Sequence, residues 1–274
     1  MKAASLPAGW PEDRPLAIAV NVMLEGWTDD SAPGIGPMGN PLKPGVLDLQ
    51  ARSWADYGPK TGAWRLLDMF AALQVRAVWY VSGIVAERHP ALMRAIAEAG
   101  HAVAAHGWAQ NILPAYQGGA EEASDLARCV AALGAPQGWL SPRCTPSPRT
   151  TGLLAAAGFR WHADIFDADL PYGLTTEAGP IVAMPFTMEV NDMPLYVRYG
   201  IEPAAFSRVF ARIAGDWPRI GNRPGCLDVT VHAHVFGRPY GLVELAETIA
   251  IARRQPWAWL TDHSALAALW APPA

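Results

Sequence analysis

The sequence predicts an α/β fold, a parallel sheet or barrel dressed with helices, and three observations carry that prediction. Short β-like runs alternate with amphipathic helical runs along most of the 274 residues. Residues able to do chemistry fall just after the strand candidates, where such folds gather their functional groups. The chain is 51% hydrophobic and only 17% charged, which supplies a large core and argues against disorder.

The elements follow in order. Leu16–Met23 is an apolar run and the first strand. The stretch Glu25–Trp54 is rich in Gly, Pro and Asp, and makes residues 15–54 a strand with a long loop over one face. Leu66, Leu67, Phe70 and Leu73 recur at helical spacing and predict a helix over 61–73. Val75–Val81 reads as a strand. Pro90–Ala99 reads as a helix, with Pro90 in the first turn and Gly100 just past the end. His101–Ala105 is the third strand, running into His106. Further helices are predicted over 120–133, 150–157, 203–214 and 241–250, and strands over 138–140, 159–164, 181–185, 227–231 and 257–260. No repeat, low-complexity tract or composition break divides the chain, so residues 1–274 are read as one domain.

Composition excludes several classes of partner. A net charge of −4 leaves no basic footprint for nucleic acid or an anionic membrane surface. No run approaches the ~18 apolar residues of a membrane span. Met1–Pro15 lacks the basic start and apolar run of a secretory signal. Three separated cysteines, Cys129, Cys144 and Cys226, make no disulfide framework. A cytoplasmic protein acting on a small molecule is the expectation.

Five constellations carry chemistry. His106-Gly-Trp-Ala-Gln110 ends the third strand and places a side chain able to bind a ligand four residues after a histidine. The run Leu227–His234 is a period-two strand ending in His232 and His234; His232 is the candidate general acid. Gly138–Pro146 stiffens Arg143 between prolines, and a rigid arginine grips a carboxylate well. Cys144 beside it has no adjacent base and is a poor nucleophile candidate. Asp164, Asp167 and Asp169 crowd one segment and need cations to answer them, Arg143 and Arg238 being candidates. Glu25, after the first strand, is placed to ligate a metal or deprotonate water. Taken singly, each of these residues is also compatible with a purely structural role.

Taken together, Tyr57–Asp68, Val75–Gly83, Ala86–Leu92 and Gly100–Trp108 resemble the polysaccharide-deacetylase superfamily. Gly138–Arg143, Asp169–Tyr172, Asn191–Met193 and Val231–Pro239 are similar to its branch of metal-independent allantoinases and cyclic-amide hydrolases. The resemblance runs from about Leu16 to the C-terminus and implies a distorted (β/α) barrel and a homo-oligomer. Family deacetylases hold a divalent metal with an Asp pair after the first strand and two histidines. Here Glu25 stands in place of the Asp pair and Gln110 in place of the second histidine.

The resemblance therefore implies a hydrolase of a C–N bond in a small cyclic amide, imide or ureide. Its catalytic residues are expected among Glu25, His106, Asp164 and His232, and its substrate contacts among Trp108, Arg143, Asn191 and His234. The cofactor expectation is none, or one weakly held zinc on Glu25, His106 and Gln110, an amide oxygen being a poor zinc ligand. The alternative is a metal-dependent deacetylase of an acetylated sugar.

Overall fold

Strand β1 (Leu16–Leu24) shows how the sequence sorts its side chains. All nine of its residues are buried. Leu16, Ile18, Val20, Val22 and Leu24 face the helices, whereas Ala17, Ala19 and Met23 face the interior of a curled sheet. Small interior residues leave room there for the rings of Trp10, Tyr80 and Trp161. A computed structural model describes residues 10–34, 36–38, 42–43, 45–220 and 224–270. Most of the N-terminal stretch read above for a signal lies outside these residues, as do several positions of the 25–54 loop.

The long loop gives way to α1 (Leu49–Tyr57), capped by Asp48, whose carboxylate accepts from the Ala51 N–H at 2.9 Å. A π-helical turn over Gly58–Gly62 leads into α2 (Ala63–Leu73). There follow β2 (Val78–Val81), α3 (Gly83–Arg88), α4 (Pro90–Glu98) and β3 (Ala102–Ala105). Next come α5 (Gly119–Leu133), β4 (Gly138–Trp139), α6 (Thr150–Ala156) and β5 (Trp161–Ile165). A hairpin of β6 (Tyr172–Thr176) and β7 (Gly179–Pro185) precedes α7 (Ala205–Ile220). The chain then forms β8 (Gly225–His232), α8 (Pro239–Arg253), β9 (Ala258–Thr261) and α9 (His263–Ala268).

The strands lie in the order β6-β7-β5-β4-β3-β2-β1-β8, with β9 on the first half of β1. All these pairings are parallel except β6 with β7. This is the α/β, distorted (β/α) barrel that the sequence predicts. Three differences stand out. Helix α1 begins inside the predicted loop. Strand β6 has no counterpart among the predicted strands, since it begins where the acidic segment Asp164–Tyr172 ends. Helix α7 runs to Ile220, past the predicted end at residue 214.

Strand pairing does not close the barrel between β8 and β7. The segment after β7 does so instead. The Thr187 N–H donates to Asp228 Oδ2 at 2.6 Å and the Asp228 N–H to Thr187 Oγ1 at 2.7 Å. The Thr230 N–H then donates to the Val190 carbonyl at 2.9 Å. Asp228 is fully buried; Asn21 Nδ2 donates to it at 2.8 Å, and His263 Nε2 lies 2.6 Å from Oδ1 without hydrogen-bond geometry. His263 in turn meets the Tyr80 hydroxyl at 2.5 Å.

Asp228→Ala should strip these donors of their acceptor and open the seam. The expected loss of stability is about 3–5 kcal/mol, read as a lower urea midpoint. An unchanged midpoint would show that the 187–191 segment closes the barrel without this carboxylate.

Candidate active site

Parallel register brings the C-terminal ends of β1 and β8 to one level, Met23 pairing with His232. Two residues further along β1's chain is Glu25, and two residues beyond His232 is His234. From the end of β3, on the far side of β2, comes His106. Glu25 Oε1 lies 3.5 Å from His106 Nε2 and 3.9 Å from His232 Nε2, and Oε2 lies 4.0 Å from His234 Nε2. The side chains of all four residues are less than a tenth exposed. Three residues singled out as catalytic or substrate-binding histidines thus converge on Glu25, one of the two predicted catalytic carboxylates.

Two glycines permit this geometry. Gly107 has φ +66°, and a β-carbon there would strike the Pro142 ring at 2.2 Å. At Gly62 a β-carbon would come 1.9 Å from the Ala233 carbonyl oxygen. The π-helical turn therefore lies directly on the loop between His232 and His234.

The three histidines differ in their support. His106 Nδ1 donates to the Leu140 carbonyl at 2.9 Å, because a carbonyl can only accept, so Nε2 is the atom turned to Glu25. His232 Nδ1 meets Asp192 Oδ1 at 2.6 Å. Asp192 is itself clamped by the backbone N–H groups of His232 at 2.8 Å and Phe236 at 3.2 Å. His234 has no hydrogen-bond partner for Nε2 among the described residues. Its ring sits edge-on to Trp54 at 4.5 Å and Trp27 at 5.9 Å between centroids.

These surroundings set the charges. Burial opposes ionisation of Glu25, yet His232, His106 and His234 together outweigh it and hold the carboxyl down to about 2. Burial also works against a charged His232, but Asp192 and Glu25 raise its pKa above the ordinary value. His234, with burial dominant, is pushed down to about 3 and stays neutral. Asp164 is raised to about 6, chiefly by burial, although Ser141 donates to it through both N–H and Oγ at 2.7 Å. Asp164 belongs to the same electrostatic neighbourhood as His106.

Other predicted site residues stand elsewhere. Trp108 is packed into the core, with the Arg128 guanidinium 3.4 Å from its ring centroid, and does not face Glu25. Trp27 and Trp54, from the loop and α1, supply the aromatic wall instead. The Asn191 side chain turns back to accept from the Met193 N–H at 2.9 Å. It is Asp192, one residue on, that reaches the site. Arg143 is exposed at φ +54°, and its backbone N–H donates to Gln110 Oε1 at 3.2 Å. Arg238 pairs with neither Asp169 nor any other described carboxylate; its Nε donates to the His234 carbonyl at 3.1 Å. Burial pushes the Cys144 thiol up to about 12, which removes it as a nucleophile.

The zinc set Glu25, His106 and Gln110 is not assembled. Gln110 Nε2 donates to Ser82 Oγ and to the His106 carbonyl, each at 3.1 Å, while Oε1 takes the Arg143 N–H. Its amide thus ties three loops together instead of facing Glu25. Among the described residues no group of three His, Cys, Asp or Glu has a metal-holding arrangement. Of the predicted set, Glu25 and His106 face each other, at 3.5 Å.

A narrow pocket leads from Glu25 outward between Trp27, Ala55, Pro59 and Ile84. At its mouth Asp29 Oδ1 meets Arg52 at 3.0 Å and Arg88 at 2.9 Å, linking the loop to α1 and α3.

Comparison with known proteins gives concordant matches. The family model described as polysaccharide deacetylase matches residues 54–159. A Schizosaccharomyces pombe protein provisionally described as a polysaccharide deacetylase is 24% identical over 86% of this chain and 80% of its own length. The structure of a provisionally described polysaccharide deacetylase from Pseudomonas aeruginosa PAO1 is similar at TM-score 0.85 and 26% identity, covering 95% of this chain and 92% of that one. The structure of the PuuE allantoinase is similar at TM-score 0.85 and 25% identity, with the same coverage.

Replacing Asp192 by Asn should leave His232 with a neutral partner. Its pKa should then fall, followed by ring-nitrogen shifts in an NMR titration. A His232 that titrates unchanged would mean that Glu25 alone sustains its charge.

Proposed function

We propose that this chain, which the family match and shared fold support as a member of the polysaccharide deacetylase superfamily, is a hydrolase that opens a small cyclic amide, imide or ureide. The observation that carries the reading is the ionised, buried Glu25 facing the Asp192-backed His232. That arrangement sets a proton acceptor beside a proton donor, Glu25 Oε1 lying 3.9 Å from His232 Nε2. The likeness to the PuuE allantoinase over nearly the whole chain supports the substrate class.

The chemistry runs on side chains. Water attacks the ring carbonyl and gives a proton to Glu25. The ring C–N bond breaks, and His232 delivers its Nε2 proton to the leaving nitrogen. A carboxyl with pKa about 2 is a weak base at rest. However, His232 supplies the largest of the effects that hold Glu25 down, so Glu25 gains basicity as that proton departs. The proton on Glu25 then returns to His232 Nε2, 3.9 Å away, and the cycle closes. His106 Nε2, fixed by Leu140, orients the water. Neutral His234, with Nε2 unpartnered among the described residues, offers the ring a hydrogen bond beside two indoles.

A second reading, deacetylation of an acetylated sugar, is favoured by the family description over residues 54–159 and by the facing pair Glu25 and His106. The experiment that separates them incubates the enzyme with allantoin, hydantoin, succinimide and glutarimide, and with chitooligosaccharides, each with and without added divalent metal. Ring opening without added metal is expected. Release of acetate from sugars alone would select the second reading.

On a competent ring, Glu25→Gln should lower kcat by roughly 10²–10⁴-fold. The pH profile of kcat/KM gives an independent check. The His232 pKa is raised, so its acid form is present at low pH and is lost as pH rises through that value. Activity should therefore fall on the alkaline side with an apparent pKa above the ordinary 6.5. An alkaline limb at or below that value would remove His232 as the acid.

A further inference from the structure

Helix α1 separates the Glu25 pocket from a second, larger cavity. This groove of about 1050 Å³ is walled by Trp54, Tyr57, Tyr196 and Tyr240, and Arg238 and Glu202 also line it. Trp54 is shared: it borders the groove and packs on His234. The tyrosines form a connected surface, Tyr196 and Tyr240 lying 5.0 Å apart between centroids.

Arg238 is the unusual member. Its guanidinium carbon lies 3.9 Å from the Tyr57 ring centroid, and Nε is fixed to the His234 carbonyl. Both terminal nitrogens are left without a hydrogen-bond partner among the described residues, and no described Asp or Glu pairs with them. Glu202 in the same groove already pairs with Arg208 at 2.6 Å. Arg238 also stands at the N-cap position of the 15-residue helix α8, without a side-chain capping hydrogen bond, and the helix N-terminus adds positive potential nearby. An arginine held flat on an aromatic ring, with its two-pronged edge free, is built to take a carboxylate in bidentate fashion.

We propose that this groove is a subsite for a carboxylate borne on a flat or apolar group, and that Arg238 with Tyr57 selects substrates carrying such an acidic arm. Its place follows from His234, whose ring faces Glu25 and whose carbonyl anchors Arg238. An acidic substituent on a ring amide held beside Glu25 would reach the guanidinium once the Trp54 indole, packed on His234 between them, swings aside. This deepens the ring-hydrolase reading and, for its role in selectivity, rests on it.

Two measurements test the proposal separately. In calorimetric titration of the full-length protein, phenylacetate should bind more tightly than phenylacetamide, and Arg238→Ala should cut that discrimination by roughly tenfold or more. Arg238→Lys, which keeps the charge without the fork, should retain only part of it and guards against a folding defect in the alanine variant. Equal binding of acid and amide, or discrimination untouched by Arg238→Ala, overturns the subsite. In turnover, the preference for hydantoin-5-acetate over its methyl ester should collapse in Arg238→Ala through KM, with kcat for the acid little changed. A collapse through kcat would overturn the positioning of the arm. If phenylacetate binds through Arg238 while no ring is opened, the subsite stands and the ring-hydrolase reading fails.

Discussion

A carboxylate sealed from water must be answered by donors or cations, and that demand organises this protein from its seam to its site. Asp228, Asp192 and Glu25 are all buried on or beside the interior faces of β1 and β8. Asp228 is met by Asn21 and the Thr187 N–H, and these donors join β8 to a segment that is not a strand. Asp192, on the same segment, is met by two backbone N–H groups and His232. Among the described residues Glu25 receives no backbone donor of this kind and depends on three imidazoles. The seam is therefore satisfied by fixed donors, whereas the site is satisfied by groups whose protons can move. Both arrangements rest on the same period-two alternation that sends Leu227, Val229 and Val231 outward and Asp228, Thr230 and His232 inward.

Much of this was legible in the sequence. Period-two and helical apolar spacing gave most strands and helices, and the placement of Glu25, His106, His232 and His234 after strand ends brought them to one point. What was not legible depends on contacts between distant loops. Asn191 and Asp192 are adjacent polar residues, and nothing in their order says that the first caps a turn while the second reaches His232. Trp108 follows His106 closely, but the positive-φ turn at Gly107 redirects the chain, and its indole lies in the core under Arg128. The aromatic wall comes instead from Trp27 and Trp54, at opposite ends of a loop whose path the sequence does not encode locally. Gln110 occupies a ligand position by spacing, yet its amide hydrogen-bonds to three loops, a geometry set by residues 28 to 33 positions away.

The histidines illustrate how one residue type takes three roles from its neighbours. A carbonyl acceptor fixes the tautomer of His106. A carboxylate stabilises the cationic form of His232. Burial, chiefly, keeps His234 neutral. Composition reports only seven histidines, and these distinctions come from partners at Leu140, Asp192, Trp27 and Trp54.

The Asp29 clasp over the Glu25 pocket bears on how a nearly sealed site exchanges its contents. The Asp29 side chain is 78% exposed, and its two arginine partners are about a third exposed. Ion pairs this wet contribute at most about 1 kcal/mol each. The cover is therefore fastened weakly at its outer edge, while its inner face is held by the packing of Trp54 on His234. Local opening at the rim costs far less than global unfolding. Enclosure and access are thus assigned to different parts of the same roof, a dry hinge beside the chemistry and a hydrated latch at the entrance.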